Sequence, residues 1–321
     1  MSSSRPRTHL RLAAAAAVVL LAGAGIALGG GSERAAAATV APIASYSFES
    51  DSGATVVDGS GHGNDATWKG TPAYVISYDG SKAISVSAGA NYIKLPLVAG
   101  QTDGSGSFSY EFWMKEASRT SYGPIVSNQN FAHCYNKGFT LYNQATQGVL
   151  EGCWGKAAST NAYLHGGSAN LGTTAWHHIA VSVDTTAAVV TFYVDGVKSA
   201  SSAAGDVTAS SVFNSGLAFN IGGLSGSETD TSDGYTNASI DNFSFYNAAI
   251  GASQVASDYA ATLPPASYTV AFDGNGSTSG ATASEPMVSN QAKALTANGF
   301  ARTGYLFAGW ATSASGRAVY K

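Results

Sequence analysis

AWHHIAVSVDTTAAVVTFYVDGVKSA, residues 175–200, is the stretch from which the rest of the chain can be read. From Trp176 to Asp184, large apolar residues (Ile179, Val181, Val183) alternate with small or polar ones such as Ser182. Side chains of a strand point alternately to opposite faces, so this pattern predicts one buried and one wet face. A second run, Ala188 to Val194, is rich in β-branched and aromatic residues. Asp195-Gly196 follows it, then Val197 to Ala200. Asp-Gly between two strand-like runs predicts a type I′ hairpin, because both turn positions need positive φ. The stretch is therefore antiparallel sheet.

Similar runs recur on either side: Ser45–Glu49, Ala83–Val86, Tyr92–Leu95, Ser107–Lys115, Gly138–Tyr142, Val149–Trp154, Ala218–Ile221 and Ala238–Tyr246. Gly, Ser, Asn and Asp punctuate them. Many short strands with turn signals predict an all-β sandwich. One helical segment, Gly251–Ala260, follows the last of them. Leu263-Pro264-Pro265 then stops both helix and ladder and reads as a linker over 261–267. Beyond it, Tyr268–Lys321 begins with another alternating run and forms a second, small β-rich unit.

Residues 1–38 are set apart from the fold. Arg5, Arg7 and Arg11 precede the uncharged run Leu12–Leu28, and Ala35–Ala38 offer a small-residue cleavage site. That is the plan of a secretory signal peptide, and it predicts export to the cell envelope or beyond. Those residues hold four arginines and one glutamate, so their removal moves the formal charge from −4 to −7. An acidic chain without a basic cluster argues against nucleic acid as partner. No second long apolar segment predicts a membrane span in the mature chain. Cys134 and Cys153 are the only cysteines, and in an exported chain they predict a disulfide. Closing a loop of about 20 residues contributes roughly 3 kcal/mol on the chain-entropy argument.

The motifs SYSFES (45–50), DGSGHGNDAT (58–67), SFSYEFWMK (107–115), AWHHIAVSVD (175–184), FYVDG (192–196), FNIGG (219–223) and SIDNFSFYNAAI (239–250) occur in an order that resembles the laminin-G-like, concanavalin A-like jelly roll. The resemblance covers 39–260 and implies two packed antiparallel sheets. YTVAFDGNG (268–276), ALTANGF (294–300) and RTGYLFAGWATSASG (302–316) resemble a Listeria–Bacteroides repeat of the internalin-B type. That likeness covers 268–321 and implies a small β-grasp-like module; repeats of this type continue into another strand, so either the sequence is a fragment or this repeat lacks its closing strand.

Carboxylate pairs for glycoside hydrolysis stand about 5–5.5 Å or 6.5–9.5 Å apart across a cleft. No paired-acid motif of that kind occurs here. Glu111 and Glu116, five apart on one strand, point to opposite faces. His177 and His178 are adjacent on a strand, so they cannot chelate one metal together and are read as framework. No G-x-S-x-G elbow supports a serine nucleophile. The chain is thus expected to be non-catalytic.

The loop Asp58–Asp65 is dense in oxygen donors of the kind that suit a hard cation. The family resemblance implies a structural calcium between this loop and the last strand, held by Asp58 and Asp241, with Asn64 third. The alternative is a glycine-rich turn in which Asp58 caps backbone N–H groups. Sugar C–H faces pack on rings, and Trp68, Tyr122, Tyr135, Trp154 and His165 lie in or beside loops, where they are candidate ligand platforms unless they pack under them. Trp113, Trp176 and Trp310 are read as core. Together these readings predict a glycan- or protein-binding surface module. The rival readings are a structural stalk and an accessory domain of a hydrolase whose catalytic part lies elsewhere.

Overall fold

The computed structural model describes residues 8–13 (backbone only), 39–86, 91–118, 123–129, 137–143, 150–155, 161–165, 171, 175–202, 207, 213–223, 236–289 and 292–313. The chain forms two compact units, one of residues 35–263 and one that joins 1–34 to 264–321. Strand β1 (Thr8–Ala13) belongs to the second of these.

The larger unit begins with β2 (Ala44–Tyr46), β3 (Thr55–Val56), β4 (Ala66–Lys69), β5 (Tyr74–Ile76), β6 (Lys82–Val86) and β7 (Tyr92–Lys94). It continues with β8 (Phe108–Ser118), β9 (Gly123–Ser127), β10 (Phe139–Asn143), β11 (Leu150–Gly155) and β12 (Asn161–His165). Then come β13 (His177–Asp184), β14 (Val189–Val194), β15 (Val197–Ser201), β16 (Asn220–Ile221), β17 (Asn237–Tyr246) and helix α1 (Ala252–Thr262). One sheet has the order β12-β11-β10-β9-β16-β7-β4-β3. The other runs β15-β14-β13-β8-β17-β6-β5, with β2 also paired to β17. Late strands β16 and β17 are inserted between early ones, which is what makes this a jelly roll rather than a meander.

The opening stretch folds as its alternation demands. Ile179, Val181 and Val183 of β13 are buried in the main core, beside Val190 and Phe192 of β14. Asp195 and Gly196 have φ of +50° and +76°, and Val194 pairs with Val197 across them. Glycine is required at 196 for a second reason: a Cβ there would lie 2.8 Å from Cδ1 of Tyr259 on α1. Strand β15 is at the sheet edge, so β13 and β14 are the interior part of this stretch.

Between the sheets lies an aromatic core. Phe108 stacks on Phe245 at 5.9 Å and meets Phe139 of the opposite sheet edge-on at 6.1 Å. Fully burying a residue of this size contributes about 1.5–3 kcal/mol, so these rings dominate the unit's stability.

The smaller unit adds β18 (Ser267–Asp273), β19 (Ser279–Gly280), β20 (Glu285–Val288), β21 (Phe300–Ala301) and β22 (Trp310–Ala311). Its sheet order is β20-β18-β1-β22, with β19 and β21 as a separate pair. Residues 8–13, set apart above as part of a leader, here pair antiparallel along β18 and parallel to β22. Their own alternation, Thr-His-Leu-Arg-Leu-Ala, is strand-compatible. Trp310 is buried, as expected, 4.4 Å from Phe272. Among the described residues, no helix is long and apolar enough to cross a membrane.

Candidate functional site

The sheet that begins at β12 turns two rows of side chains in opposite directions. Trp68, Ile93, Ile221, Val126 and Leu141 are successive cross-strand partners that face the core. The neighbouring row, Thr67, Lys94, Asn220, Ser127, Thr140 and Cys153, is also paired strand to strand and therefore faces outward. Gly152 confirms the sense: a Cβ on it would meet Phe192 of the opposite sheet at 2.6 Å. The outward row is polar from one end to the other.

Its middle is a buried hydrogen-bonded network. The hydroxyls of Ser127 and Thr140 lie 2.7 Å apart, and Thr140 also reaches Oε1 of Gln129 at 2.7 Å. Gln129 donates to the carbonyl of Gly138 at 3.2 Å. Asn128 Nδ2 donates to the Phe213 carbonyl at 2.8 Å, and its Oδ1 accepts from the Phe139 N–H at 2.7 Å. Gly138, at φ +112°, leaves no room for a Cβ, which would come within 2.7 Å of Gln129. Two residues along the strands, the Tyr142 hydroxyl donates to Glu151.

Toward β4 and β7 the row opens into a groove of about 420 Å³, lined by Asp65, Thr67, Lys69, Lys94, Leu97 and Leu217 among others. This is a size suited to a small ligand. Lys94 lies directly opposite Thr67, and Lys69 is two residues further along the same face.

The expected cation loop has a different role. Oδ1 of Asp58 accepts from the N–H groups of Ser45 (2.9 Å) and Ser60 (2.8 Å). Oδ2 accepts from the Ser60 hydroxyl (2.8 Å) and the Asn64 N–H (2.9 Å). Burial pushes this carboxyl up, but those N–H bonds outweigh it and hold it below the usual range. Asn64 is buried and spends its amide on the Ile43 carbonyl at 2.7 Å. Asp241 is engaged elsewhere, by the hydroxyl of Ser77 at 2.5 Å and the N–H of Asn242 at 2.7 Å. Burial raises its carboxyl to about 6. Among the described residues, no three His, Cys, Asp or Glu side chains are grouped to hold a metal ion. With every Asp58 oxygen already facing N–H or O–H donors, this loop does not fit calcium and matches the capped-turn alternative.

Two of the expected ligand platforms require correction. Trp154 is completely buried and stacks on Phe139 at 6.0 Å, facing the opposite sheet. Trp68 is buried in the same core. Both stand on strands with the core-facing parity, which hides them from any ligand. His165 is on β12 rather than in a loop, at the register position opposite Glu151; its backbone alone is described. Tyr122, Tyr135 and Cys134 lie outside the described residues. Cys153 is fully buried, and no described cysteine is free.

The outward face of the other sheet is closed. Ala180, Tyr193, Tyr246 and Ile250 form a second small core with Val255 of α1. Beside it, Trp113 stacks 4.1 Å from Tyr78 and donates Nε1–H to Thr262 at 2.9 Å. Trp113 is thus core of this cap rather than of the sandwich, and Trp176 is half-buried, 5.8 Å from Tyr78. Glu111 of β8 accepts a hydrogen bond from the Tyr246 hydroxyl and lies within the field of the Asp258 carboxyl on α1. Burial, aided by the charge of Asp258, raises Glu111 to about 8. His178 Nε2 is 3.7 Å from Glu111, but burial lowers its pKa to about 4. Neither partner is charged near neutral pH, so the two do not form an ion pair. His177 turns the other way, to Asp195 at 2.8 Å.

The family model described as the concanavalin A-like lectin/glucanases superfamily matches residues 87–256, and that of the Listeria–Bacteroides repeat domain matches 268–321. No curated protein matches the sequence. Among solved structures, the receptor-binding domain of botulinum neurotoxin C/D mosaic serotype is similar at 15% identity and a TM-score of 0.51, over 69% of this chain and 51% of that one. The binding domain of Paraclostridial Mosquitocidal Protein 1 is similar at 15% identity and a TM-score of 0.53, over 82% and 68%. The binding domain of botulinum neurotoxin DC in complex with SialylT is similar at 11% identity and a TM-score of 0.51, over 69% and 51%. The chain spans about half the length of these neurotoxin domains, and at such identities the likeness is one of fold. With a family model over more than half of its length and the two-sheet jelly roll it implies, the chain belongs to the concanavalin A-like lectin/glucanases superfamily and carries a Listeria–Bacteroides repeat behind that domain.

Proposed function

We propose that the jelly roll is a non-catalytic carbohydrate-binding module of an exported bacterial surface protein. The observation that carries this reading is the open groove at the β4/β7 end of the outward row, where exposed Thr67 and Lys94 are backed by the buried polar residues Asn220, Ser127 and Thr140. Polar groups fixed on strands, next to a concavity, are what orients a ligand rich in hydroxyls. The similar structures named above are binding domains by name, which supports binding over catalysis. The buried carboxyl of Glu111 faces half-buried Asp258 of α1, beneath the helical cap, and serves the fold.

A glycan array probed with the purified chain tests this reading. Saturable binding to a subset of glycans is expected, with no release of reducing sugar. A flat array would leave the module as a stalk, and hydrolysis of any glycan would overturn the non-catalytic reading.

Export is part of the same proposal. Cleavage after Ala38 would remove β1 from the small unit, so the intact mass of the secreted protein decides between a leader and a resident strand. The Cys134–Cys153 bridge belongs here too, and non-reducing peptide mapping should recover the two cysteines in one linked pair. Calcium at the Asp58 loop is a separate proposal against which the donor geometry stands. An EDTA-induced drop in melting temperature would restore it.

A further inference from the structure

We propose that the groove between β4, β7 and the 216–218 turn selects an acidic glycan, with Lys69 and Lys94 holding its carboxylate or sulfate group. This inference rests on the carbohydrate-binding reading and deepens it.

Lys94 and Lys69 are diagonal neighbours on one face, since Lys94 pairs with Thr67 and Lys69 follows two residues later. Diagonal residues on paired strands lie about 7–8 Å apart, within reach of two long side chains converging on one group. Among the described residues neither lysine has an ion pair or a hydrogen bond. Three of the other lysines are engaged. Lys82 donates to the Glu49 carbonyl at 3.0 Å, Lys293 pairs with Glu285 at 3.4 Å, and Lys115 sits over the Trp176 ring at 5.5 Å. Beyond residue 38 the chain has 12 basic against 19 acidic residues, so counter-ions are plentiful. Yet the groove supplies a single carboxylate, Asp65, whose Oδ1 already accepts from the Asp58 N–H at 2.8 Å.

The consequence is chemical. An ammonium group has three donors and no acceptor, so a floor with two of them asks its ligand for negatively charged oxygens. Like charges placed side by side on a sheet repel, and a bound oxyanion relieves that repulsion while it is held. Thr67 adds a hydroxyl between the two lysines, and half-exposed Leu97 gives an apolar wall for the sugar's C–H face. A neutral glycan offers the lysines nothing to neutralise.

The test is an array of oligosaccharides in matched pairs, carboxylated against carboxyl-reduced and sulfated against desulfated, read with wild type, Lys69→Gln, Lys94→Gln and the double variant. The acidic member of a pair should bind on the order of tenfold more tightly, a preference that weakens as salt is raised. Each single variant should lose part of that preference and the double variant all of it, with melting temperatures unchanged. The carboxylate and sulfate arms identify which group is read. Equal binding of acidic and neutral members, or a double variant that keeps the preference, would overturn the inference while the carbohydrate-binding reading stands. No binding to any member would overturn the carbohydrate-binding reading itself.

Discussion

The two outward faces of the sandwich have the same backbone geometry and opposite fates. On the β8/β13/β17 face, small residues such as Ala180 let α1 approach, and Val255 completes a second core. Gln254 fastens the arrangement by exchanging two hydrogen bonds with Val40, at 2.9 and 2.8 Å. On the other sheet's outward face no helix packs among the described residues; Asn220, Ser127 and Thr140 are buried there, and the face opens into a groove at its β4/β7 end. Period-two alternation says which residues leave the core. It does not say whether what they meet is water or another layer of protein.

The comparison breaks most readily at the capped face. Trp113→Ala removes a ring stacked on Tyr78 and Tyr259 together with its bond to Thr262. It should cost about 3–5 kcal/mol in chemical denaturation, yet leave glycan binding per folded molecule intact. Loss of binding in the folded fraction would mean the two faces are coupled.

On the groove-bearing sheet, Thr140→Val takes the donor from Gln129 and a partner from Ser127 at a fully buried position. A destabilisation of about 1–3 kcal/mol is expected. A neutral result would show that the buried network is ornamental and that the groove has no rigid support.

Charge separates the faces further. Glu111 has a folded-state value near 8 against an ordinary 4.5. Its unfolded form gives up the proton first, so its contribution to stability is fully present below about 4.5 and is lost as pH rises toward 8. Asp258 is raised as well and acts in the same sense. His178 acts oppositely: its lowered value removes stability as pH falls from 6.5 toward 4. Glu111→Gln mimics the protonated acid and should flatten the alkaline side of the stability–pH curve without touching the acid side. An unchanged curve would remove the retained Glu111 proton from the account of the cap.

Lys94→Ala is the smallest expected change in stability, within about 0.5 kcal/mol, because nothing described depends on that ammonium group. A larger loss would show that the lysine serves the fold instead of a ligand.

How far the site could be read from sequence depended on strand length. Strands β13, β14, β8 and β17 are long and alternate cleanly, so they were legible, and the Asp195-Gly196 turn was legible from its chemistry. Strand β4, Ala66–Lys69, was missed; four residues among glycines carry too little period to see, although they contribute both Thr67 and Lys69 to the groove. Strand β9 contains Pro124, which reads as a break in isolation and is tolerated beside the register shift between Leu141 and Tyr142. Trp154 and Trp68 were misread because a ring next to glycines looks like a loop ring until the cross-strand register gives its parity. The Asp58 loop was dense in oxygen, but only the folded backbone shows those oxygens already facing N–H donors.

By itself the sequence determined the all-β class, the order of the two units, the interior strands and the family, because these depend on local period, turn chemistry and motif order. The tertiary structure alone decided that α1 caps one face and that a groove opens at the β4/β7 end of the other, and that Lys69 and Lys94 both line that groove while the expected tryptophans face the core. Those properties depend on pairing between strands far apart in the chain, and no local pattern encodes that register.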